Sequence, residues 1–250
     1  GYAHSANVQP VRTLLNTPET TIRPEGVLAE VSVPYTDAYK TPGFDPGQVA
    51  YRLYYETTHW VEKFVRDSAG YAWYRFYDDK RKVSYYAPAE HLRIITDGEI
   101  APLSPIVDSN KKLLTVNVTD EIVTAYEDNK PVFMARCSTG RRSYSIFRTT
   151  PLGWHITNHK RLTRHMAAGD PASAEGFDLP GIPWVSYFTK SGVSFHGTYW
   201  HNDFGVPHSH GCVNLTPQAA KWVLRWSMPA IPPGEQYVLK DYGTSVNVIE

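Results

Sequence analysis

Cysteine is scarce in this chain. Its 250 residues carry two, Cys137 and Cys212, which excludes a fold stapled by several disulfides. Two thiols still allow one bridge, and pairing of Cys137 with Cys212 stays open on sequence grounds. A charge excess is also missing. Lys and Arg total 25 and so do Asp and Glu, so nothing points to nucleic acid or an anionic membrane as partner. No run of about 18 apolar residues occurs, which excludes a helical membrane span. A secretory leader is absent too; Gly1 to Ser5 reads as a processed start or a fusion scar, so its absence says nothing about export. Helix signals are few, and no cofactor is expected.

What the chain has is aromatic residues and turn formers: 17 Tyr, seven Trp, nine Phe, 19 Pro and 17 Gly. Aromatics favour pleated strands, and Pro and Gly mark frequent turns, so a mainly β protein is expected. Residues 1–27 lack periodicity and read as a lead-in or wrapping segment. Strand alternation follows in Ala29–Val33 and His59–Val65, then a turn at Asp67–Gly70 and a strand from Tyr71 to Tyr77. Asp97-Gly98 and Pro102–Pro105 read as linker, placed at 98–109. Beyond it, Lys112–Val118, Glu121–Glu127 and Val132–Cys137 read as consecutive hairpin strands, with a turn at Asp128–Lys130. Asn158 to Pro180 is read as a long irregular flap. One helix is expected, capped by Thr216, with Pro217 in its first turn and Ala220, Trp222, Val223, Leu224 and Trp226 on its apolar side.

Eight Lys or Arg lie between Asn129 and Gly169 with no Asp or Glu. The run is either a solvated basic face or a means of attracting an acidic substrate.

The chemistry concentrates in Ser209-His210-Gly211-Cys212-Val213-Asn214, with His196-Gly197-Thr198 upstream. A thiol becomes an effective nucleophile when a held imidazole takes its proton, and the chain offers two candidates, His196 and His210. His210, two residues before Cys212, shares its face if the segment is extended. The N–H groups of Gly211 and Cys212 are candidate oxyanion donors, since glycine lets backbone approach developing charge. A rival reading takes His196, His201, His208, His210 and Cys212 as zinc ligands, but no second cysteine or carboxylate completes a familiar set, and no metal is expected. A papain-like arrangement fits badly, because here the histidine precedes the cysteine.

Ile182–Phe188, Val193–His201 and Phe204–Leu215 together resemble the catalytic domain of the L,D-transpeptidases (YkuD type), whose signature is a histidine, a variable loop, then Ser/Thr-His-Gly-Cys-apolar-Asn/Arg. Thr150-Pro151-Leu152-Gly153 resembles that family's turn before a strand, and the likeness covers roughly residues 110–242. Gly70-x-x-Trp73-Tyr74-Arg75 with the closing Pro88-x-x-x-Leu92 resembles a bacterial SH3-like small barrel. The expected organisation is therefore an SH3-like domain at 28–97 and a catalytic β-sandwich with one C-terminal-side helix at 110–250.

The resemblance implies Cys212 as nucleophile, His196 as base oriented by the carbonyl of Gly197, and a site-shaping role for His210. Ser209 and Asn214 are expected to brace the loop, and Tyr187, Tyr199 and Trp200 to wall the substrate pocket; Asp203 is not expected to take part. It also implies peptidoglycan stem peptides as donor and acceptor, 3→3 cross-linking by cysteine acyl transfer with release of D-alanine, carbapenem β-lactams as covalent inhibitors, and a place in the cell envelope or outside the cell. Hydrolysis at the same site, an L,D-carboxypeptidase, and a non-catalytic wall-binding protein stay as alternatives.

Overall fold

The computed structural model describes residues 1–5, 8–141, 149–169 and 176–250. Seven strands make the first sheet: β1 (Val27–Val31), β2 (Tyr35–Tyr39), β3 (Val49–Tyr54), β4 (Thr58–Arg66), β5 (Ala72–Asp78), β6 (Val83–Pro88) and β7 (Leu92–Ile94). They pair antiparallel in the order β3-β2-β6-β5-β4-β1-β7. Local chemistry sets the β4–β5 turn. The Asp67 carboxylate accepts from the N–H groups of Ala69 and Tyr71 and from the Trp73 indole, an Asx turn that fixes hairpin register. Alternate residues Ala29 and Val31, Tyr74 and Phe76, and Tyr85 and Ala87 pack into one apolar cluster. The strand order has two free ends, so among the described residues the expected small barrel is not closed. The lead-in segment wraps this sheet in extended form. Its Leu14 N–H donates to Ser32 O, its Asn16 N–H to Glu90 O, and its Glu19 N–H to the Tyr74 hydroxyl.

Between the sheets a four-residue helix, α1 (Asp97–Ile100), stands where linker is expected; a capping box of Thr96 and Glu99 starts it. The second sheet holds β8 (Lys112–Asn117), β9 (Ile122–Glu127), β10 (Lys130–Arg136), β11 (Gly153–Ala168), β12 (Phe177–Tyr187), β13 (Ser194–Gly197), β14 (Val213–Leu215) and β15 (Tyr237–Ile249). Their order is β10-β9-β8-β15-β11-β12-β13-β14. The last strand inserts centrally, parallel to β8 and antiparallel to β11.

The expected irregular flap is corrected here. Of residues 158–180, all those described except Gly169 and Gly176 belong to the paired strands β11 and β12, with His159 opposite Tyr187 and Ala168 opposite Phe177; residues 170–175 lie outside the described set. The alternation was hidden because inward positions of β11 are polar: Lys160 and His165 are buried alongside Leu162. Nor does the basic run form one solvated face. Lys160 is fully buried and donates to the carbonyls of Leu224 and Ser227. Arg161 and Arg164 pair with Asp79, which follows β5 of the first sheet, and Arg142 and Arg148 lie outside the described residues.

Helix α2 (Pro217–Trp226) starts where Thr216 Oγ1 accepts from the Ala219 N–H, a cap contributing about 1 kcal/mol. Its Ala219, Ala220, Val223, Leu224 and Trp226 are buried, and Trp222 stacks on Phe133 of β10 at 4.1 Å. Lys160 and Lys112 cap its other end through the carbonyls of Leu224, Trp226 and Ser227, supplying donors that the final turn lacks. The core under the second sheet takes in Leu28, Trp60 and Ile95 from the first part of the chain. The two sheets are therefore joined by shared apolar packing and by Thr58 Oγ1, which donates to Leu162 O.

Candidate active site

β13 and β14 run parallel, with Phe195 opposite Val213 and His196 opposite Asn214. Strand alternation sends Phe195 and Val213 into the core, where neither is exposed, and turns His196, Cys212 and Asn214 towards one cavity of about 240 Å³. Two segments 16 positions apart thus deliver the imidazole and the thiol to the same space.

His196 is buried, and Nδ1 lies 3.1 Å from the carbonyl oxygen of Gly197. An N–H at Nδ1 donates there, so Nε2 is left as the basic nitrogen. Burial lowers the pKa of the ring to about 4 against the raising effect of the Gly197 carbonyl. The ring is neutral at physiological pH. Burial also raises the Cys212 thiol above its ordinary range, with hydrogen bonding from Ser194 acting against it. The Sγ atom sits 3.7 Å from Ser194 Oγ and 4.0 Å from Gly192 O. Burial thus disfavours the charged form of each member of the pair.

The loop before Cys212 is held from both sides. Ser209 Oγ accepts from the Gly211 N–H at 3.0 Å and donates to the Cys212 carbonyl. Thr150 Oγ1 accepts from the Gly140 N–H and donates to Gly211 O, each at 2.9 Å. Gly211 sits at φ +120°, and a Cβ there would lie 3.3 Å from Thr149 O, so glycine meets both a backbone and a space requirement. Of the two expected oxyanion donors, the Gly211 N–H is already engaged by Ser209. The short hydroxymethyl side chain folds back on its own turn and takes that donor.

Asn214 is bonded to His201, its amide 3.0 Å from Nε2. His201 stacks on His208 at 4.5 Å, and His208 Nε2 lies 2.9 Å from Asp203 Oδ2. His201, His208 and Asp203 thus form one linked layer, of which His208 lines the cavity, where sequence offered only scattered possible ligands. Among the described residues no three His, Cys, Asp or Glu side chains are grouped to hold a metal ion. Both cysteines are free thiols. Cys137 is buried beside Glu121 Oε2, and burial pushes its pKa up, so no bridge blocks Cys212.

Trp200 and His210 line the cavity. Tyr187 and Tyr199 are not among its lining residues. Tyr187 stacks on His159 at 4.6 Å, and Tyr199 stacks on Tyr54 of the first sheet at 5.7 Å while donating to Pro180 O. The apolar wall comes instead from Met166, Phe177, Leu179 and Ile182 of β11 and β12. Phe177-Asp178-Leu179 has the period-2 alternation that would have revealed it, inside the segment read as irregular.

The sequence matches the family model of the L,D-transpeptidase catalytic domain, YkuD, over residues 111–248. No curated protein matches it. Among solved structures, an L,D-transpeptidase from Mycobacterium smegmatis is similar over 72% of this chain and 90% of its own, at 17% identity and a TM-score of 0.46. An L,D-transpeptidase from Xylanimonas cellulosilytica matches over 55% of this chain and 59% of its own, at 23% identity and 0.39. L,D-transpeptidase 3 from Mycobacterium tuberculosis, solved with a faropenem-derived adduct, matches over 68% and 74%, at 18% identity and 0.44.

Proposed function

From the membership of this chain in the YkuD family of L,D-transpeptidase catalytic domains, we propose that it cross-links peptidoglycan by cysteine acyl transfer, with residues 110–250 as the catalytic domain and 28–97 as its SH3-like support. The observation carrying this reading is the juxtaposition of His196 and Cys212 on one cavity, with the His196 tautomer held by the Gly197 carbonyl.

Cys212 Sγ attacks the carbonyl of the third residue of a tetrapeptide stem while His196 Nε2 takes the thiol proton. Negative charge builds on the carbonyl oxygen, and the Cys212 N–H is the donor left to meet it. The intermediate collapses to a thioester. His196 returns the proton to the departing nitrogen, and D-alanine leaves. An amine from a neighbouring stem then attacks the thioester carbonyl and gives its proton to His196. Collapse restores the thiol and yields a 3→3 link. A neutral His196 suits this cycle, because only the unprotonated ring accepts the first proton. Ser209 and Thr150 keep the Cys212 loop in one conformation between steps, which preserves the reacting geometry. His210, at the cavity mouth, shapes the entrance.

Carbapenems fit the same chemistry: Cys212 would open the lactam ring and keep the acyl group. The substrate implies action in the cell envelope.

The test is incubation with a disaccharide-tetrapeptide, with Cys212→Ala in parallel and product masses as readout. Dimers lacking one D-alanine, absent with the variant, are the expected result. Tripeptide without dimer would make the enzyme an L,D-carboxypeptidase. No turnover on any of several stem peptides would overturn the catalytic reading in favour of a wall-binding protein.

A further inference from the structure

A second cavity, of about 390 Å³, adjoins the first. Leu179 and Trp200 line both, so the two spaces share a wall. The second is closed by residues of the first sheet: Tyr51, Arg52 and Tyr54 from β3 face Asp178, Pro180 and Tyr199.

Its chemistry differs from that of the reacting centre. Three aromatic side chains meet there at different angles. Tyr54 and Tyr199 are stacked within 22° of parallel, and Trp200 stands at 90° to Tyr199. Tyr54 is 46% exposed and Trp200 39%, so faces of both are open to a ligand. The charged groups around this space are already balanced. Arg52 Nε lies 2.9 Å from Asp37 Oδ1, and Asp178 is held by Arg81 and His165. Paired charges select poorly for an ionic ligand, yet their remaining lone pairs and N–H groups still serve hydroxyls. Aromatic faces beside hydroxyl-matching polar groups suit a neutral, polyhydroxylated ring with an apolar C–H face.

We propose that this second cavity is a saccharide subsite that binds the glycan portion of the substrate, so that residues of the first sheet contribute directly to substrate recognition. The inference rests on the proposed action on glycan-borne stem peptides and extends it. Three residues separate the sugar from the reacting carbonyl in such a substrate, and an extended chain of three spans about 10 Å. Two adjoining cavities divided by one pair of side chains accommodate that layout: peptide beside Cys212, sugar beside Tyr54.

The test has two parts. The first titrates the stem-free amino-sugar disaccharide into full-length Cys212→Ala protein, followed by heteronuclear NMR. Shifts at the Trp200 indole and around Tyr54, lost in Cys212→Ala/Tyr54→Ala, are expected; no saturable shift there overturns the proposal. This readout needs no turnover, so it stands apart from failure of the transpeptidase reading. The second compares kcat/KM for disaccharide-tetrapeptide and free tetrapeptide. Tyr54→Ala should lower the first about tenfold more than the second, with Tyr54→Phe restoring the ratio. Equal losses on both substrates would mean that Tyr54 only props Tyr199, and would refute the subsite.

Discussion

Replacing Gly197 by alanine tests how the His196 tautomer is held. A Cβ at this position would lie 2.7 Å from Pro183 Cγ, 3.1 Å from Pro217 Cα and 3.3 Å from Pro183 O. None of these is the free end of a flexible side chain: Pro183 is in β12 and Pro217 opens α2. The backbone of Gly197 lies outside the left-handed region, so the cost is steric. Overpacking of this kind costs about 1–3 kcal/mol. Taking about 2 kcal/mol, a chain of this size loses about 4–8 °C in Tm. The displaced atom matters more than the lost stability, because the Gly197 carbonyl accepts from His196 Nδ1. A shift near 1 Å at a positioning group costs about 100-fold in rate, and it should fall on kcat rather than KM. Thermal melting and steady-state kinetics of Gly197→Ala measure both. Gly98→Ala is the control, since its Cβ meets nothing closer than Thr96 Oγ1 at 3.9 Å, and no loss is expected. A Gly197→Ala enzyme that melts within a degree of the parent and keeps its kcat would refute the claim that tight packing at this carbonyl orients the base.

Because burial lowers His196 to about 4, the acid limb of kcat/KM should have its midpoint near that value; a midpoint at the ordinary histidine pKa of about 6.5 would show that the ring is not desolvated in the free enzyme. Around His165, burial lowers the pKa but hydrogen bonds and charges from Asp78 and Asp178 outweigh it, so the net shift is upward; Asp78, raised by burial but lowered more by His165, Arg81 and Tyr51, ends at about 2. The cluster's stabilisation is therefore present from above the ordinary Asp range up to the ordinary His pKa, and is lost as pH rises through the raised value of His165. In His165→Gln the decline in Tm on the alkaline side of neutrality should flatten, and an unchanged slope would assign that decline to another group. Lys160→Ala strips the buried carbonyls of Leu224 and Ser227 of their donor and leaves a cavity, for an expected loss of about 2–5 kcal/mol by denaturant melting; an unchanged midpoint would mean that water replaces the amine.

The legible parts of this protein were those whose physics is local. The β4–β5 and β8–β9–β10 hairpins announce themselves through alternation and turn residues, and the Thr216 cap with Pro217 announces α2. The His-Gly-Cys motif is legible for a different reason: the residue types of a reactive thiol are unusual, and glycine must stand where backbone approaches closely. Strand β11 was not legible, because alternation is detected by apolar residues and its buried positions include Lys160 and His165. These are tolerable inside only where distant carbonyls and carboxylates satisfy them. Open or closed, a sheet is likewise not written in any single strand, and the seven strands of the first sheet left two free ends.

By itself, the sequence determined the mainly β character, the single persuasive helix, and the candidate nucleophile and base. Only the tertiary structure decided that β13 runs parallel to β14, so that His196 and Cys212 share a cavity, since strand pairing between distant segments depends on contacts that no local pattern encodes. It alone decided that Ser209 takes the Gly211 N–H, that Phe177 and Leu179 wall the cavity in place of Tyr187 and Tyr199, and that Tyr54 of the first sheet stacks on Tyr199 at its margin. Each of these depends on which surfaces meet once the two sheets share a core, and burial and hydrogen-bond satisfaction across that junction are properties of the assembled chain.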